Sequence, residues 1–130
     1  MIILDTCILI FDALTPEKLS KSAKKAISYA EEKKQLFCSD ISLWEIAMFA
    51  QKKRLDLGTD VESFLNLMLK AKEIHVLSIS VEIAVLSSSF SANHFDPADR
   101  IIAATALHNN AKLITCDKKL LEIDQLSTIW

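Results

Sequence analysis

Residues 96–106 read DPADRIIAATA, an acid-rich helix start followed at once by two apolar helical turns. Asp96 is suited to cap a helix, and Pro97 fits the first turn because the amide hydrogen that proline lacks would be unpaired there. Asp99 shares its helical stripe with three apolar residues, namely Ile102, Ala103 and Ala106. The spacing predicts a buried helix from residue 96 to about residue 109, with an acid in apolar surroundings in its first turn.

Short apolar runs alternate with longer helical patterns on both sides of this helix. Strands are predicted over residues 2–4, 35–38, 74–77, 112–115 and 127–130. Helices are predicted over residues 15–34, 42–54 and 61–70, from residue 80, over residues 96–109, and as a short turn from residue 118. This order implies an α/β fold, with a mostly parallel sheet and helices on both faces.

The predicted helix starts depend on short capping patterns. Three of them are Thr15 with Pro16, Ser42 with Glu45, and Thr59 with Glu62. Gly58 marks a break between two helices. Asp12 lies among apolar residues and is interpreted as an exposed position of the first helix.

The composition is that of a globular protein, with 130 residues, 51% hydrophobic and 25% charged, so we expect one domain over residues 1–130. The net charge of −2 gives no general attraction to nucleic acid, so such binding requires a local patch. We recognise no signal peptide, membrane span, dinucleotide-binding motif or P-loop, and we expect a cytoplasmic protein with reduced cysteines. The histidines are scattered and are interpreted as non-ligands: His75, His94 and His108.

Four acids lie where a solvated surface residue is not expected. Asp5 and Asp117 each follow an apolar strand, whereas Glu45 and Asp99 lie on apolar stripes near helix starts. In an open parallel sheet the carboxyl ends of the strands share one edge, where ligands bind. Secondary structure alone can therefore bring the four acids to one crevice. Each acid could also be an ordinary cap or turn residue, so the functional interpretation depends on all four coinciding.

Clustered carboxylates repel one another, and without a cation some of them would bind protons. Ligand sets made only of oxygen favour hard cations, so we expect Mg²⁺ or Mn²⁺ rather than zinc. Such an ion can activate a water molecule and neutralise charge on a phosphate, which suits hydrolysis of a phosphodiester bond. The four acids therefore predict a metal-dependent phosphodiesterase site.

Five sequence fragments resemble the PIN-domain ribonucleases, and specifically the VapC-type toxins of toxin–antitoxin pairs. The fragments are LDT at residues 4–6, SLWEIA at 42–47, DPADRIIAATA at 96–106, LITCD at 113–117, and the final Ile129–Trp130. The resemblance covers nearly the whole chain. It implies a PIN-like, about five-stranded α/β/α sandwich, an RNA substrate, a homodimer, and an antitoxin encoded nearby that covers the active site.

The resemblance also implies roles for individual side chains. Asp5, Glu45, Asp99 and Asp117 would form the Mg²⁺ site, with Asp5 and Asp99 as the most direct ligands. Thr115 would orient Asp117 or a water molecule. Two further residues would support the acids, Asp96 as a cap, and Arg100 by steadying the acids or approaching a phosphate.

Two basic clusters are candidates for holding the RNA backbone beside the crevice: Lys52, Lys53 and Arg54, and Lys118 with Lys119. The alternative for the first cluster is a solvated helix end with favourable charge. The broad apolar surface of the helix over residues 61–71 favours core packing, or an oligomer or antitoxin interface.

Three other functions stay open from the sequence. A phosphoacceptor receiver domain has a similar fold and an acidic Mg²⁺ pocket, but it predicts an adjacent acid pair where Asp5 stands alone. A non-catalytic PIN scaffold that binds RNA or protein would be favoured by the loss of an acid, and all four are present. A DNA-directed or RNA-processing PIN nuclease would use the same acids, and the small size of the chain favours the toxin interpretation over it.

Overall fold

The fold is described from a computed structural model, which covers residues 1–91 and 95–130. At its centre is a five-stranded sheet with the strand order β3-β2-β1-β4-β5, and each neighbouring pair is parallel. The strands are β1 (Ile2–Leu4), β2 (Leu36–Ser39), β3 (His75–Leu77), β4 (Lys112–Ile114) and β5 (Thr128–Ile129). The predicted α/β fold is confirmed, and the sheet is wholly parallel over the described residues.

Seven α-helices and one 3-10 turn accompany the sheet in the described part of the chain. The helices are α1 (Thr6–Leu14), α2 (Lys21–Glu32), α3 (Asp40–Gln51), α4 (Val61–Ala71), α5 (Val81–Ser87), α6 (Pro97–His108) and α7 (Lys118–Leu121), and the 3-10 turn is Pro16–Lys18. Among the helices described, none is long and apolar enough to cross a membrane. His94, interpreted from the sequence as a non-ligand, lies outside the described residues.

Alternate residues of the central strand β1 enter two cores, one on each face of the sheet. Ile3 packs in one core with Ile102 and Ala106 of α6, whereas Leu4 packs in the other with Ile8 of α1. Strand geometry produces this division because successive side chains point to opposite faces. Helices therefore cover both faces of the sheet, and α6 is buried as its sequence predicts.

The direction of the strands decides where the site can form. Because the strands are parallel, the carboxyl ends of β1, β2 and β4 lie at the same edge of the sheet. Helices α1, α3 and α7 begin directly or within a few residues after these strands, so their first turns meet at this edge as well. The fold thus gathers residues from distant parts of the sequence at one place.

The sequence analysis places Asp12 on a first helix but gives that helix no bounds, and in the structure it is α1. Asp5 begins it by accepting a hydrogen bond of 2.8 Å from the Thr6 amide. The prediction over residues 15–34 is wrong at its start, because Pro16 opens only the short 3-10 turn. The helix α2 begins later, where the Ser20 side chain accepts a hydrogen bond from the amide of Ala23.

Asp12 is not the exposed residue that the sequence predicts. Only 11% of its side chain is exposed, and its Oδ1 accepts a 2.7 Å hydrogen bond from Nζ of Lys72. This ion pair joins α1 to the residue that follows α4. The prediction failed because the partner lies 60 residues away in sequence.

Two predicted capping boxes are wrong. Ser39 caps α3 in place of Ser42, and Asp60 caps α4 in place of Thr59. Ser42 is instead buried inside α3, so Glu45 has no capping role. Two other predicted starts are confirmed, with Ser80 and Asp96 as the caps of α5 and α6.

Positive backbone φ angles occur in one turn and after four of the helices. The only glycine, Gly58, turns with φ 73° between α3 and α4, as predicted. Four helices are followed by residues with φ between 49° and 55° that are not glycine: Lys34, Lys53, Glu73 and Asn110. This left-handed conformation costs most L-residues about 1–2 kcal/mol and asparagine less, so the ends at Lys34, Lys53 and Glu73 reduce stability most.

Candidate active site

The carboxyl end of β1 puts Asp5 in the middle of the sheet edge, because β1 is the central strand. The residue is only 4% exposed. Its Oδ1 accepts the hydrogen bond from the Thr6 amide, and its Oδ2 accepts one of 2.7 Å from the hydroxyl of Thr115. Both carboxylate oxygens are therefore held by donors, which fixes the orientation of the side chain.

Thr115 links Asp5 to a second acid. Its hydroxyl donates to Asp5 and accepts a 3.0 Å hydrogen bond from the amide of Asp117. The Oδ1 of Asp117 accepts a 2.9 Å hydrogen bond from the Lys119 amide and so caps α7. The ordinary capping interpretation of Asp117 is thus correct, and only Oδ1 takes part in this cap.

Glu45 approaches from α3 and is hydrogen-bonded to α1. Its Oε1 accepts a hydrogen bond from the hydroxyl of Thr6, which also lies 2.8 Å from the hydroxyl of Ser42. A hydroxyl carries one proton, so when Thr6 donates to Glu45 the Ser42 hydroxyl must donate to Thr6. The sequence did not predict a role for Thr6 or Ser42. The position of Thr6, directly after Asp5, is the signal that could have found it.

Asp96 and Asp99 enter from the start of α6. The Oδ1 of Asp96 accepts a 2.9 Å hydrogen bond from the Asp99 amide, which is the cap that the sequence predicts. Asp96 is exposed and Asp99 is half-buried. The cap fixes where the helix begins, and therefore where Asp99 stands relative to the sheet edge.

These acids surround one pocket of about 370 Å³. It brings together the four acids predicted from the sequence, Asp5, Glu45, Asp99 and Asp117, and adds Asp96. The other lining residues are Thr6, Cys7, Ile10, Phe49 and Cys116. A larger groove of about 680 Å³ lies near the amino ends of β1 and β4, and none of its described lining residues carries a carboxylate. The smaller pocket is therefore the candidate active site.

Several predicted supporting residues do not line this pocket. Arg100 is half-buried on α6, and its Nε is buried without a hydrogen-bond partner among the described residues. Thr115 is fully buried behind Asp5. The remaining predicted residues are exposed, Lys52, Lys53 and Arg54 beyond the end of α3, and Lys118 and Lys119 at the start of α7.

Burial and mutual repulsion raise the pKa values of three acids in the pocket. For Asp99, loss of solvation and then the neighbouring carboxylates raise the pKa from 3.8 to about 7. Burial raises the pKa of Asp5, although the hydrogen bond from Thr115 opposes this. Burial likewise raises the pKa of Glu45 against the hydrogen bond from Thr6. A cation in the pocket would relieve this repulsion.

The acids fit a hard cation by their donor chemistry, because they offer carboxylate oxygens from several directions. Across residues 1–91 and 95–130, however, no three His, Cys, Asp or Glu side chains stand close enough together to hold a metal ion. Asp5 is fixed by its hydrogen bonds, so ion binding would require the half-buried acids, Glu45, Asp99 and Asp117, to turn toward it.

Two cysteines that the sequence analysis did not connect with the site also line the pocket. The Sγ of Cys7 lies 3.5 Å from the Sγ of Cys116 and donates to Oδ2 of Asp5 over 3.6 Å. Both cysteines are free thiols, and burial together with the charge of Asp5 raises the pKa of Cys7. Their closeness in sequence to Asp5 and Asp117 is the signal that could have found them.

A doubly wound parallel sheet with acids from strand ends and helix starts around one pocket defines a class of α/β domains with an acidic site. Within that class, the family model described as PIN domain matches residues 2–126. The chain therefore belongs to the PIN-domain family, as the sequence fragments predict.

Known proteins resemble the chain over almost all of its length. Ribonuclease VapC22 of Mycobacterium tuberculosis is 33% identical over 123 residues, which are 92% of this chain and 88% of that protein. The crystal structure of VapBC2 from Rickettsia felis, bound to a promoter DNA fragment, has a TM-score of 0.76 at 19% identity, covering 98% of this chain and 97% of that one. A toxin–antitoxin complex from Klebsiella pneumoniae has a TM-score of 0.67 at 24% identity, with the same coverage.

Proposed function

We propose that this protein is a metal-dependent endoribonuclease, made of one domain, that acts as the toxin of a toxin–antitoxin pair. The observation that carries the proposal is the convergence of four acids from separate elements on one pocket: Asp5, Glu45, Asp99 and Asp117. The similar mycobacterial protein is named a ribonuclease, which supports RNA as the substrate. The similar structures from Rickettsia felis and Klebsiella pneumoniae are VapBC and toxin–antitoxin complexes, which supports an antitoxin partner.

In this proposal Asp5 and Asp99 bind Mg²⁺ or Mn²⁺ directly, and Glu45 and Asp117 complete the site directly or through water. When bound, the cation supplies an acidified water molecule and neutralises charge on the phosphodiester. The raised pKa values of Asp5, Glu45 and Asp99 support a cation here, because a nearby divalent charge favours the ionised carboxylates.

The protein's own hydrogen bonds prepare the acids for this role. Thr115 and the Thr6 amide donate to Asp5, which favours its ionised form despite its burial. The hydroxyl of Thr6 likewise donates to Glu45 and favours its ionised form. Asp5 is fixed before any ion binds, so it loses little freedom on binding, and its donors would strengthen binding without touching the ion themselves.

Two kinds of support surround the acids. Asp96 fixes the start of α6, and Arg100 follows on the same helix, where we propose that it balances the negative charge of the acids or approaches a phosphate. Lys118 and Lys119 are exposed directly beside Asp117, and Lys52, Lys53 and Arg54 follow the helix that carries Glu45. We propose that these basic residues hold the RNA backbone.

Exposed apolar side chains on α3 and α4 support protein partners. Trp44 on α3 is 58% exposed and Leu67 on α4 is 62% exposed. We propose that these side chains take part in a homodimer or in antitoxin binding. We also propose a cytoplasmic location, where an RNA substrate is present and thiols are reduced unless an oxidant is present.

The test is cleavage of total cellular RNA by the purified, antitoxin-free protein, with the cut ends mapped by sequencing. Wild type and Asp99→Asn are compared with Mg²⁺, with Mn²⁺ and with excess EDTA. Asp124→Asn is the matched control, because Asp124 is an exposed acid outside the pocket. We expect discrete cuts from wild type and Asp124→Asn with metal only, and none from a folded Asp99→Asn. Cleavage that persists in EDTA or in Asp99→Asn contradicts the proposal.

No observation favours the receiver alternative. A receiver pocket has an adjacent pair of acids after its first strand, whereas Asp5 is flanked by Leu4 and Thr6. The strand β3 ends in Leu77, which offers no phosphoacceptor acid.

A further inference from the structure

We propose that Cys7 and Cys116 form a reversible disulfide in the wall of the acidic pocket, and that this bond switches the site off. This regulation rests on the function proposed above. The two sulfurs are 3.5 Å apart although the residues are 109 positions apart in sequence. The reagent that would modify this site is a two-electron thiol oxidant, such as a peroxide or a small disulfide.

The sheet itself brings the two thiols together. Strands β1 and β4 are paired through Leu4 and Ile114, and the pairing continues with a 3.0 Å hydrogen bond from the Asp5 amide to the Ile114 carbonyl. Cys7 and Cys116 follow this point by two or three residues on each chain segment. Their separation is therefore set by the spacing of adjacent strands rather than by a mobile loop.

Bond formation requires only a short movement. The sulfurs must approach from 3.5 Å to the disulfide distance of about 2.05 Å. Both residues are half-buried and line the pocket, so small oxidants that enter the pocket reach them. Cys38, the third cysteine, is buried in β2 and has no sulfur neighbour of this kind among the described residues.

The reaction balances with hydrogen peroxide as the oxidant. One thiol is oxidised to a sulfenic acid as the peroxide O–O bond breaks, and one water molecule is released. The second thiol attacks the sulfenic sulfur, which forms the S–S bond and releases a second water molecule. Two electrons pass from the two sulfurs to the peroxide, and a dithiol reductant reverses the change by thiol–disulfide exchange.

The disulfide would disturb the acids on both sides of it. It removes the S–H group that Cys7 donates to Oδ2 of Asp5. It also ties the first turn of α1 to the segment between Thr115 and Asp117, so both ends of the metal site are pulled together. A binding site of this kind tolerates displacements of only about 0.5 Å, so we expect the oxidised protein to bind the cation poorly.

The experiment uses the full-length protein in its reduced form and after treatment with hydrogen peroxide. Four proteins are compared, namely wild type, Cys7→Ser, Cys116→Ser and Cys38→Ala. Free thiols are counted in denaturant, the disulfide is mapped by peptide mass spectrometry, and Mn²⁺ affinity is measured by calorimetry. RNA cleavage is measured for each protein before oxidation, after oxidation, and after dithiothreitol, so each variant serves as its own reference.

We expect wild type to fall from three free thiols to one, with a Cys7–Cys116 bond and a mass lower by two hydrogen atoms. Its Mn²⁺ affinity and cleavage should fall by about tenfold or more and return with dithiothreitol. Cys38→Ala should respond in the same way, whereas Cys7→Ser and Cys116→Ser should keep their own reduced-state cleavage after oxidation.

Three free thiols after oxidation, a sulfinic acid in place of the bond, or a mapped bond with unchanged Mn²⁺ affinity would each overturn the proposal. If the reduced wild type fails to cleave RNA, the function proposed above is what fails. The thiol count, the peptide map and the Mn²⁺ affinity still decide whether the disulfide controls the pocket.

Discussion

The hydroxyl of Thr115 donates a 2.7 Å hydrogen bond to Oδ2 of Asp5, across 110 residues of sequence. The same hydroxyl accepts from the Asp117 amide, so one oxygen atom connects two of the four acids. A carboxylate held in this way keeps its orientation without depending on the cation. This contact gives the most direct test of how the pocket is organised.

Replacing Thr115 with valine should weaken the metal site without unfolding the protein. Valine keeps the shape of the side chain but neither donates to Asp5 nor accepts from Asp117. Loss of a group that orients a ligand typically reduces metal affinity by about 10–100-fold. We expect the Mn²⁺ concentration at half-maximal cleavage to rise by this factor, with the far-ultraviolet circular dichroism unchanged.

Thr115→Ser is the matched variant, because it retains the hydroxyl. It should stay within a few-fold of wild type in the same metal titration. Equal Mn²⁺ dependence in Thr115→Val and Thr115→Ser would mean that the hydroxyl does not position Asp5.

The raised pKa of Asp99 predicts that the metal-free protein loses stability as the pH rises. Its carboxyl has a pKa of about 7 in the folded protein against 3.8 in the reference state. The folded state therefore binds this proton more tightly, and the stability it contributes is fully present below pH 3.8 and lost as the pH rises through about 7. The raised pKa values of Asp5 and Glu45 act in the same direction.

We expect the melting temperature in EDTA to be lower at about pH 8 than at about pH 5. Asp99→Asn should show a flatter profile, because its neutral amide does not titrate. Mn²⁺ should raise the melting temperature of wild type most at the higher pH, where the carboxylates are ionised. A wild-type melting temperature in EDTA that increases over this range would show that repulsion in the pocket does not control stability.

The basic residues beside Asp117 predict a specific change in the dependence on salt. We expect Lys118→Ala with Lys119→Ala to raise KM for RNA several-fold and to leave kcat almost unchanged. The backbone amide of Lys119 still caps α7 through Asp117, so the helix is preserved. Each lost phosphate contact should reduce the slope of log KM against log salt by about one.

Lys24→Ala with Lys25→Ala provides a control of equal charge on α2, outside the acidic pocket. This variant should keep both KM and the salt slope. If the two double variants behave alike, the effect reports net charge and the cluster at α7 has no particular role.

The left-handed backbone at Lys34 predicts a stabilising substitution. Lys34 has φ 55° after α2, a conformation that glycine adopts without strain. Lys34→Gly should increase the free energy of unfolding by about 0.5–1 kcal/mol after allowing for the greater freedom of glycine in the unfolded chain. The surface ion pair with Glu73, at 3.8 Å between exposed side chains, contributes little and offsets little of this gain.

Lys33 is the matched position, because it precedes Lys34 and has φ −93°. Lys33→Gly should therefore destabilise the protein in the same urea titration. A loss of stability in Lys34→Gly equal to that in Lys33→Gly would show that the helix end is not strained.

The sequence predicts those parts of the fold that depend on local signals. Asp96 and Pro97 identify the start of α6 because a cap and a first-turn proline act within one helical turn. The bounds of α1 escaped prediction because the residues after Asp5 are apolar on all sides and show no helical period. Ser42 was assigned as a cap because Glu45 follows it at the spacing of a capping box, and only packing shows that Ser42 is buried while Ser39 caps α3.

The acids of the candidate site could also be predicted from their places in the strands and helices, whereas the contacts that depend on packing could not. Acids at strand ends and helix starts are expected at one edge of a parallel sheet, whatever the strand order, and this led to the four acids Asp5, Glu45, Asp99 and Asp117. The contacts of Thr6 with Glu45, and of Cys7 with Cys116, depend on which elements become neighbours in space. A single sequence does not reveal such neighbours, so these residues were found only from the structure.

The strand order has a consequence for the newly made chain. Strand β1 is synthesised before its partner β4, and Thr115 follows Asp5 by 110 residues. A nascent chain that already carries Asp5, Glu45 and Asp99 therefore has no complete acidic pocket. The hydrolytic site proposed here can assemble only after Thr115 and Asp117 have been translated, so a nascent chain that ends before them lacks the complete pocket.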